Sequence, residues 1–370
     1  MNDARGLTRD MNRIPVLRPI LVAALAYVLF TLVALGLHGM DPLWFVWLDD
    51  EFFVSAPAGS IGYDGQFVYA IARDGISTAQ LDTPPYRLQR ILLPALVRAL
   101  SFGSEALIPW VLLLANGLAV IVGTAILARW LDAHDIRPTY ALIYPFFVGT
   151  LMAYSRSLTE PLAGTLSLAA VSSWDRDRVP LAAALLGLAC LAKETALVYG
   201  TAFAMQALVM RRPLSVAWLA VGLLSPVIWQ LYLAARYGVV PLLAGASLDH
   251  TWPLGGMLPQ LSWDPGRLSA LIVVAIPAAV LCPLAVRRLL RESTDVGWWL
   301  VLLHALAMLF LPEEVYDHVM HAGRNAIGLA CSVLWCFPGL NPRERGLAAM
   351  WWCLPSLIWL VPILRWTPWP

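Results

Sequence analysis

Apolar runs alternate with short charged connections along the whole chain. Eleven runs have the composition of membrane-crossing helices, and we place them at residues 19–37, 105–128, 139–153, 158–173, 179–192, 195–210, 214–234, 267–286, 296–311, 326–338 and 347–364. Several are shorter than the roughly 20 residues that a span requires, so we expect tilt, extension into polar flanks or re-entrant pairs among them. The sequence contains no equal-length repeat and no low-complexity linker, which favours one all-α transmembrane bundle over residues 1–370.

Arginines indicate the orientation of this predicted bundle. If the N-terminus is inside, the inner face receives four N-terminal arginines, Arg5, Arg9, Arg13 and Arg18, and every even-numbered connection is short and basic. Those connections carry Arg129, Arg137, Arg176, Arg178, Arg211, Arg212, Arg287, Arg288, Arg291, Arg343 and Arg345. This arrangement puts 15 of the 25 basic residues inside, as the positive-inside rule expects. The C-terminus is then predicted to lie outside.

Composition agrees with a membrane environment and narrows the class of protein. Hydrophobic residues make up 59% of the chain and charged residues 13%, with a mean hydropathy of +0.69, beyond the usual range of soluble domains. A net charge of +1 without clustered cations excludes nucleic-acid-binding proteins. Lys193 is the only lysine beside 24 arginines, a bias typical of GC-rich bacterial genomes. We therefore expect a multi-pass protein of the bacterial cytoplasmic membrane.

The unusual polar residues lie in connections that this orientation places outside. These are a long loop at residues 38–104, short connections at 155–160 and 193–195, a tryptophan-bearing loop at 236–266, and the segment 312–325. Together they hold 15 of the 24 acidic residues, counting one acid at the lip of the second span. The sequence therefore predicts that a functional site faces the extracytoplasmic side.

Asp64 is the leading candidate for chemistry in the first outer loop. It stands where a short helix should begin, with Gly75 as a plausible end of that helix. One interpretation is an N-cap that accepts hydrogen bonds from the first free amides. The other is a general base beside the membrane surface, with a pKa raised by partial desolvation. Asp49, Asp50 and Glu51 are alternative candidates for that base.

Arginines and apolar residues segregate on the segment from Tyr86 to Arg98. At helical spacing, Arg87, Arg90 and Arg98 fall on one side and the apolar residues on the other, which predicts a helix in the membrane interface. One interpretation is attraction to the headgroups of anionic membrane lipids. The alternative is that Arg87 and Arg90 bind the phosphate of a lipid-linked substrate, for which a guanidinium group is suited.

Charged residues also interrupt apolar sequence at two short connections. Arg156 and Glu160 flank the start of a predicted helix. One interpretation is that Glu160 only stabilises the positive end of the helix dipole. The other is that the free amides and Arg156 bind an anion there. Lys193 and Glu194 break a long apolar stretch, where each charge costs about 2.5–3.5 kcal/mol unless it faces protein or water. The side chains of Lys193 and Glu194 either extend to the membrane interface at the tip of a helical hairpin, or they join a site at the same membrane depth as Arg156 and Glu160.

The last candidate residues share one side of a predicted helix. Glu314, Asp317, His321 and Arg324 recur at helical spacing, and contacts of His321 and Arg324 with a phosphate or a sugar are the favoured interpretation. A divalent metal site of Glu314, His318 and His321 is a weaker alternative, because the sequence specifies no further strong ligand. No metal or other cofactor is therefore predicted.

Four sequence blocks resemble the polytopic GT-C glycosyltransferases. They read Asp64-Gly-Gln-Phe-Val-Tyr-Ala-Ile-Ala-Arg-Asp-Gly, Tyr-Arg-Leu-Gln-Arg90-Ile-Leu-Leu-Pro94, Arg156-Ser-Leu-Thr-Glu160-Pro161 and Lys193-Glu194-Thr195. The likeness is closest to bacterial members described as cell-surface glycopolymer formation proteins, and it is more distant to the mannosyltransferases of GPI-anchor synthesis. It covers roughly residues 1–200, while the rest of the chain is similar only in its hydrophobic layout. Tyr63 replaces a tryptophan of the GPI enzymes.

The resemblance implies an inverting transfer of a hexose from a polyprenyl-phosphate donor to a cell-surface glycan or a lipid-linked acceptor. It also implies that an acid of the first loop deprotonates the acceptor hydroxyl, and by position that acid is Asp64. Other GT-C enzymes place the acid closer to the first helix, which keeps Asp49, Asp50 and Glu51 as alternatives. The sequence has neither a Walker loop nor a dinucleotide fingerprint, so a nucleotide-sugar or ATP mechanism has no sequence support.

Two other functions are compatible with the sequence. A transporter or flippase of lipid-linked sugars also carries intramembrane charges, although it should place them near mid-membrane in matching halves. A non-catalytic subunit of a glycopolymer assembly complex would use the same loops for complex formation and not for sugar transfer.

Overall fold

The computed structural model describes residues 14–56, 58–244 and 252–365. Within these ranges the chain is helical and contains no strand, which confirms the predicted all-α class. The helices are α1 (Ile14–Leu37), α2 (Gly65–Asp74), α3 (Pro84–Leu88), α4 (Leu92–Leu100), α5 (Ile108–Ala133), α6 (Ile143–Phe146), α7 (Val148–Ser155), α8 (Glu160–Asp175), α9 (Val179–Ala192), α10 (Leu197–Val209), α11 (Pro213–Gly222), α12 (Leu224–Tyr237), α13 (Pro241–Ala244), α14 (Pro265–Ala270), α15 (Ile276–Leu289), α16 (Val296–Leu309), α17 (Glu313–Tyr316), α18 (Val319–Asn325), α19 (Ile327–Trp335) and α20 (Pro342–Arg365).

Shorter turns connect several of these helices. A π-helical turn, Leu271–Ala275, joins α14 to α15, and 3-10 turns lie at Pro42–Phe45, Pro138–Leu142, Glu194–Ala196, Leu258–Gln260 and Phe337–Gly339. The N-terminal Arg5, Arg9 and Arg13 and the C-terminal residues 366–370, on which the predicted orientation partly depends, lie outside the described residues.

Four continuous helical segments are long and apolar enough to cross a membrane. They are Pro15–Leu37, Ile108–Ala133, Pro265–Leu289 and Pro342–Arg365, and a fifth results if α11 and α12, bent by 43°, form one span. At most 50% of the most apolar window of each segment is buried within the protein. The exposed remainder is apolar, a surface that lipid solvates better than water. These segments identify the chain as a membrane protein.

The other predicted spans correspond to shorter helices. Helices α9 and α16 have 14 residues each, α10 has 13, and the predicted span 139–153 divides into a 3-10 turn, α6 and α7. At 1.5 Å per residue, such helices fall short of a hydrocarbon core of about 30 Å. The structure therefore shows a helical bundle with four or five spans by length and composition, and the count of eleven and the orientation stay predictions.

Helix ends of the central helices converge where charged residues interrupt the apolar sequence. Pro161 lies in the first turn of α8, where its missing amide hydrogen costs no hydrogen bond. Lys193 is extended (φ −157°, ψ 132°) and ends α9, so that Glu194 opens a 3-10 turn before α10. Arg156 is the residue that ends α7, with φ −124° and ψ 20°. The connections 155–160 and 193–195 are thus tight turns, as predicted from the charges.

Two glycines allow distant segments to pack backbone against backbone beneath this region. A Cβ atom on Gly65, the first residue of α2, would lie 2.0 Å from the carbonyl oxygen of Arg156. A Cβ atom on Gly149 in α7 would lie 2.1 Å from the carbonyl oxygen of Gly323 in α18. Any larger side chain would push these segments apart. The glycines therefore set the distances between the first loop, the turn after α7 and α18.

We expect Gly149→Ala to lower the melting temperature, because the added methyl group forces α7 away from α18. Overpacking of this kind costs about 1–3 kcal/mol. The matched control is Gly346→Ala in α20, where nothing lies within 4 Å of the new Cβ atom. That variant should be neutral or slightly stabilising, since alanine favours helix by about 0.5–1 kcal/mol over glycine. Thermal unfolding in detergent measures both, and equal melting temperatures for the two variants would contradict the close approach.

Candidate functional site

Three segments that are far apart in the sequence meet at the carboxylate of Asp64. Oδ1 accepts a hydrogen bond from Nη1 of Arg87 at 2.8 Å, and Oδ2 accepts one from Nη1 of Arg324 at 2.5 Å. Arg87 belongs to α3 and Arg324 to α18. All three side chains are largely buried, with exposed fractions of 21%, 13% and 16% for Asp64, Arg87 and Arg324. Asp64 is therefore held by two charge-assisted pairs.

Asp64 occupies the N-cap position of α2, but its side chain makes no capping hydrogen bond. The N-cap interpretation is therefore wrong for the side chain, which the two arginines engage instead. Burial on its own would raise the pKa of this carboxyl, as the desolvation argument assumes. Arg324, Arg87 and Arg90 outweigh burial and hold the pKa well below its ordinary value. Contrary to the expected rise, Asp64 is ionised at neutral pH.

A second layer of ion pairs surrounds this carboxylate. Arg90 binds Glu194 through two bonds, Nε to Oε2 at 2.9 Å and Nη2 to Oε1 at 2.6 Å. Lys193 donates from Nζ to Oε1 of Glu160 at 2.5 Å, and Nε of Arg324 lies 4.0 Å from the same Glu160 oxygen. Burial would raise the pKa of Glu194, but Arg90 and Lys193 lower it to about 2. Charges predicted at two separate connections thus belong to one cluster.

Arg87 has a second acid partner besides Asp64. Its Nε and Nη2 atoms donate to the carboxylate of Asp82 at 2.8 and 2.6 Å, and its guanidinium lies 4.1 Å from the centre of the Phe67 ring. Eight residues thereby form one connected set, which we call the Asp64 network: Asp64, Asp82, Arg87, Arg90, Glu160, Lys193, Glu194 and Arg324. The network contains four acids and four cations, so its formal charges balance.

The predicted interfacial helix from Tyr86 to Arg98 is wrong as one continuous element. The chain forms α3 and α4, and the intervening residues 89–91 turn it. Arg90 lies in this break and points to Glu194, while Arg98 donates to the backbone carbonyls of Ala72 and Arg73. Pro94 has no amide hydrogen to donate to the Arg90 carbonyl, and its ring clashes with that carbonyl, so one regular helix cannot continue through residue 90. The break separates arginines that helical spacing places on one side.

The helical stripe predicted at 314–324 is also interrupted, because α17 ends at Tyr316 and α18 begins at Val319. His321 keeps its predicted neighbour: Nδ1 lies 2.8 Å from Oδ1 of Asp317. The His321 ring stacks on Tyr63 at 5.6 Å. Among the described residues, no group of three or more His, Cys, Asp or Glu side chains is arranged to hold a metal ion. The alternative metal site therefore has no support from the geometry.

The alternative first-loop acids organise the loop itself. Asp49 accepts hydrogen bonds from the backbone amides of Glu51 and Gly62 at 2.8 and 3.2 Å, and Asp50 accepts one from Gly59 at 2.6 Å. Asp50 and Glu51 are exposed. Among the described residues, none of the three acids forms an ion pair with an arginine of the Asp64 network. The structure thus brings Asp64, and not these alternatives, to the cations.

Arg156 does not join the Asp64 network. Its guanidinium is completely buried and lies 4.6 and 4.0 Å from the ring centres of Trp44 and Trp47. Its Nη1 donates to the carbonyl oxygen of Ser155 at 2.8 Å. Arg156 and Glu160, which the sequence places together at the start of a helix, are therefore separated, since Glu160 binds Lys193.

Two cavities adjoin the network and share Glu160 and Arg324 in their walls. The smaller, about 20 Å³, lies against Asp64, Arg87 and Arg90 and has room for one water molecule. The larger, about 110 Å³, lies between α8, α10, α16 and α19 beyond the Lys193–Glu160 pair, and most of its lining is apolar. The ion pairs therefore lie between a space for one water molecule, lined by charged and apolar side chains, and a larger and mostly apolar cavity.

Sequence reasoning missed three contributors to this region. Asp82 is the second acid on Arg87, and Tyr86 accepts a hydrogen bond from Nη2 of Arg90 at 2.6 Å. Tyr63 places its ring 5.0 Å from the guanidinium of Arg324. All three stand within a few residues of predicted site residues, and their aromatic or acidic character beside arginines was the available signal.

No protein-family model matches this chain, and no curated protein matches it either.

Removing one partner of the buried Lys193–Glu160 pair should strongly destabilise the protein. We expect Lys193→Met to cost about 3–5 kcal/mol, because it leaves a buried carboxylate without its nearest cation. The double variant Lys193→Met, Glu160→Gln should recover part of that loss. The matched control is Arg212→Met, since the Arg212–Asp177 pair is exposed (3.0 Å; 48% and 76%) and should contribute less than about 1 kcal/mol. Thermal unfolding in detergent should rank the variants in this order, and equal losses would contradict the argument.

Proposed function

We propose that this protein is an inverting glycosyltransferase of the GT-C type. In this proposal it transfers a hexose from a polyprenyl-phosphate donor to a cell-surface glycan or a lipid-linked acceptor. The observation that carries the proposal is the ionised carboxylate of Asp64, fixed by Arg87 and Arg324 among further cations. Sugar transfer from a lipid phosphate needs a base for the acceptor hydroxyl and positive charge near the departing phosphate.

The proposed orientation places this site on the extracytoplasmic side of a bacterial cytoplasmic membrane. Its support is the arginine content of the even-numbered connections. Ion pairs around Asp64 join the first loop, the connections 155–160 and 193–195, and the segment 312–325. Segments that contact one another in this way must lie on the same side of the membrane. We retain the eleven spans as part of the same proposal.

The proposed reaction assigns one role to each partner of Asp64. The carboxylate accepts the proton of the acceptor hydroxyl as the hydroxyl oxygen forms a bond to the anomeric carbon. The bond from that carbon to the phosphate oxygen breaks, and its electron pair leaves with the lipid phosphate. Arg87 and Arg324 orient the carboxylate, and since each also contacts an acid besides Asp64, they are positioning residues.

The low pKa of Asp64 makes its carboxylate a weak base, but it also keeps the carboxylate ionised. A weak base supplies less driving force for proton transfer, so the proton must move together with formation of the new glycosidic bond. Burial shields the carboxylate from water, and the two arginines fix the direction of its oxygens. Orientation is then the larger part of what the site contributes.

Asp64→Asn should reduce hexose transfer by about 10²–10⁴-fold, the usual contribution of a general base. The assay is transfer from radiolabelled polyprenyl-phosphate hexoses in membranes that contain equal amounts of inserted protein. The matched control is Asp74→Asn at the other end of α2, because Asp74 pairs with Arg73 outside the Asp64 network. Asp50→Asn tests an alternative first-loop acid.

Undiminished transfer by a correctly inserted Asp64→Asn variant would rule out Asp64 as the base. If instead Asp50→Asn alone abolishes transfer, the base is one of the alternative acids. If wild-type protein transfers no hexose but moves labelled donor across liposome bilayers, the transporter function replaces the proposal. Loss of a glycopolymer complex without any transfer activity in the wild type would favour the non-catalytic subunit.

The transfer rate should stay level as pH falls from 7 to 5. Asp64 acts in its deprotonated form, and its pKa lies below the ordinary aspartate value, so protonation removes the base only in stronger acid. Arg324→Gln removes one charge that lowers this pKa, so the acid limb of kcat should move up by about one to three pH units. Arg98→Gln, a cation that binds only backbone carbonyls, is the control and should leave the limb unchanged. An unshifted limb in Arg324→Gln would contradict the assignment of the limb to Asp64.

A further inference from the structure

Arg156 is the cation near the site that has no acid partner among the described residues. The side chain is 0% exposed, yet no carboxylate lies within ion-pair distance of it in the described part of the chain. Nη1 binds the carbonyl oxygen of Ser155, while Nε and Nη2 have no hydrogen-bond partner there. A buried guanidinium with two unused donors is costly, because desolvation is not offset by an opposite charge.

Three other arginines near Asp64 differ from Arg156 because they have carboxylate partners. Arg87, Arg90 and Arg324 each contact carboxylates, which keep the pKa of each guanidinium above its ordinary value despite burial. Burial lowers the pKa of Arg156 to about 9, because no carboxylate opposes it. The acids and cations of the Asp64 network balance, so the uncompensated positive charge of this region resides on Arg156.

Tyr63 supplies a second unpartnered polar group beside Arg156. Its hydroxyl is buried without a hydrogen-bond partner among the described residues, and its ring lies 6.3 Å from the Trp47 ring, on whose face the Arg156 guanidinium stacks at 4.0 Å. Tyr63 directly precedes Asp64, and Gly65 packs on the Arg156 carbonyl oxygen. Three unused donors, two on Arg156 and the phenol, therefore lie next to the backbone that carries Asp64.

We propose that Arg156 and the Tyr63 hydroxyl form an anion site for a phosphate group. Where it names the phosphate of the lipid-linked donor, the inference rests on the proposed function. Guanidinium and phenol donors suit a phosphate oxygen, and the missing carboxylate leaves the positive charge for the ligand. The arginines of the Asp64 network already have anionic partners, so phosphate binding there would require breaking an ion pair.

The stereochemistry of inversion requires such a separate anion site. In an inverting displacement, the attacking oxygen with its base and the departing oxygen lie on opposite sides of the anomeric carbon. A phosphate bound by Arg87 or Arg324 would lie beside Asp64, on the same side as the base. Arg156 is outside the Asp64 network, so a phosphate held there does not have to displace a partner of the base.

The groups that cover Arg156 belong to the first loop. Trp44 lies in a 3-10 turn, and Trp47 has φ 58°, in the left-handed region that bulky L-residues seldom adopt. Because the guanidinium is fully buried, a ligand reaches it only if the two indoles move.

Equilibrium binding of ³²P-labelled polyprenyl phosphate without sugar, to the full chain in detergent, tests the site. Arg156→Gln should weaken binding by about 10- to 100-fold, since a hydrogen bond to a charged group is lost with the charge. Tyr63→Phe keeps the ring and removes only the unpartnered hydroxyl, so it should fold normally and weaken binding by about 3- to 10-fold. Arg98→Gln is the matched control and should bind like the wild type.

Competition by unlabelled inorganic phosphate identifies the source of the ligand. Displacement of the lipid assigns the site to phosphate itself, and binding that resists inorganic phosphate but still depends on Arg156 assigns it to the lipid-linked form. Wild-type affinity in both Arg156→Gln and Tyr63→Phe overturns the site, as does a wild type that binds no phosphate. A loss confined to Arg87→Gln or Arg324→Gln overturns it as well.

The two proposals fail in different ways. Binding of phosphate that depends on Arg156, in a protein that transfers no hexose, retains the anion site and overturns the glycosyltransferase. Hexose transfer that depends on Asp64, with phosphate binding unaffected by Arg156→Gln, retains the glycosyltransferase and overturns the anion site.

Discussion

The structure around Asp64 depends on one constraint, the pairing of buried charges. Charges removed from water are costly unless opposite charges lie at hydrogen-bond distance, and Asp64 has such partners 23 and 260 positions away in the sequence. Those two ion pairs hold the start of α2 against α3 and α18. The close approach of Gly149 to Gly323 places α18 so that Arg324 reaches the carboxylate.

The presence or absence of an acid partner distinguishes two roles among the cations, which the sequence alone groups together as phosphate-binding residues. Arg87, Arg90, Lys193 and Arg324 are occupied by acids and therefore orient Asp64 or stabilise the turns that carry it. Arg156 stacks on two indoles and has no acid partner among the described residues, which is why we propose it, and not the paired cations, as the phosphate site. A site for group transfer needs both kinds of cation, because a base must be held still while the leaving group must be free to bind and depart.

The apolar pattern was sufficient to predict an all-α membrane protein and the tight turns at 155–160 and 193–195. It was less reliable for short polar segments. The segments 86–98 and 314–324 have helical spacing, yet each is broken where a tertiary contact or a turn intervenes. Helix periodicity reports the average environment of a segment, and it does not detect a break of a few residues such as the one at which Arg90 turns towards Glu194.

The sequence by itself determined which residues are unusual: Arg156, Glu160 and Lys193 interrupt apolar sequence, and Asp64, Arg87 and Arg324 lie in the polar segments between apolar runs. Only the tertiary structure decided how they combine. Whether the pKa of Asp64 rises or falls depends on arginines brought within 3 Å by the fold, and whether Arg156 is paired depends on which acids reach it. Electrostatic interactions depend on distance in space, and that distance is set by packing between segments that the order of residues does not encode locally.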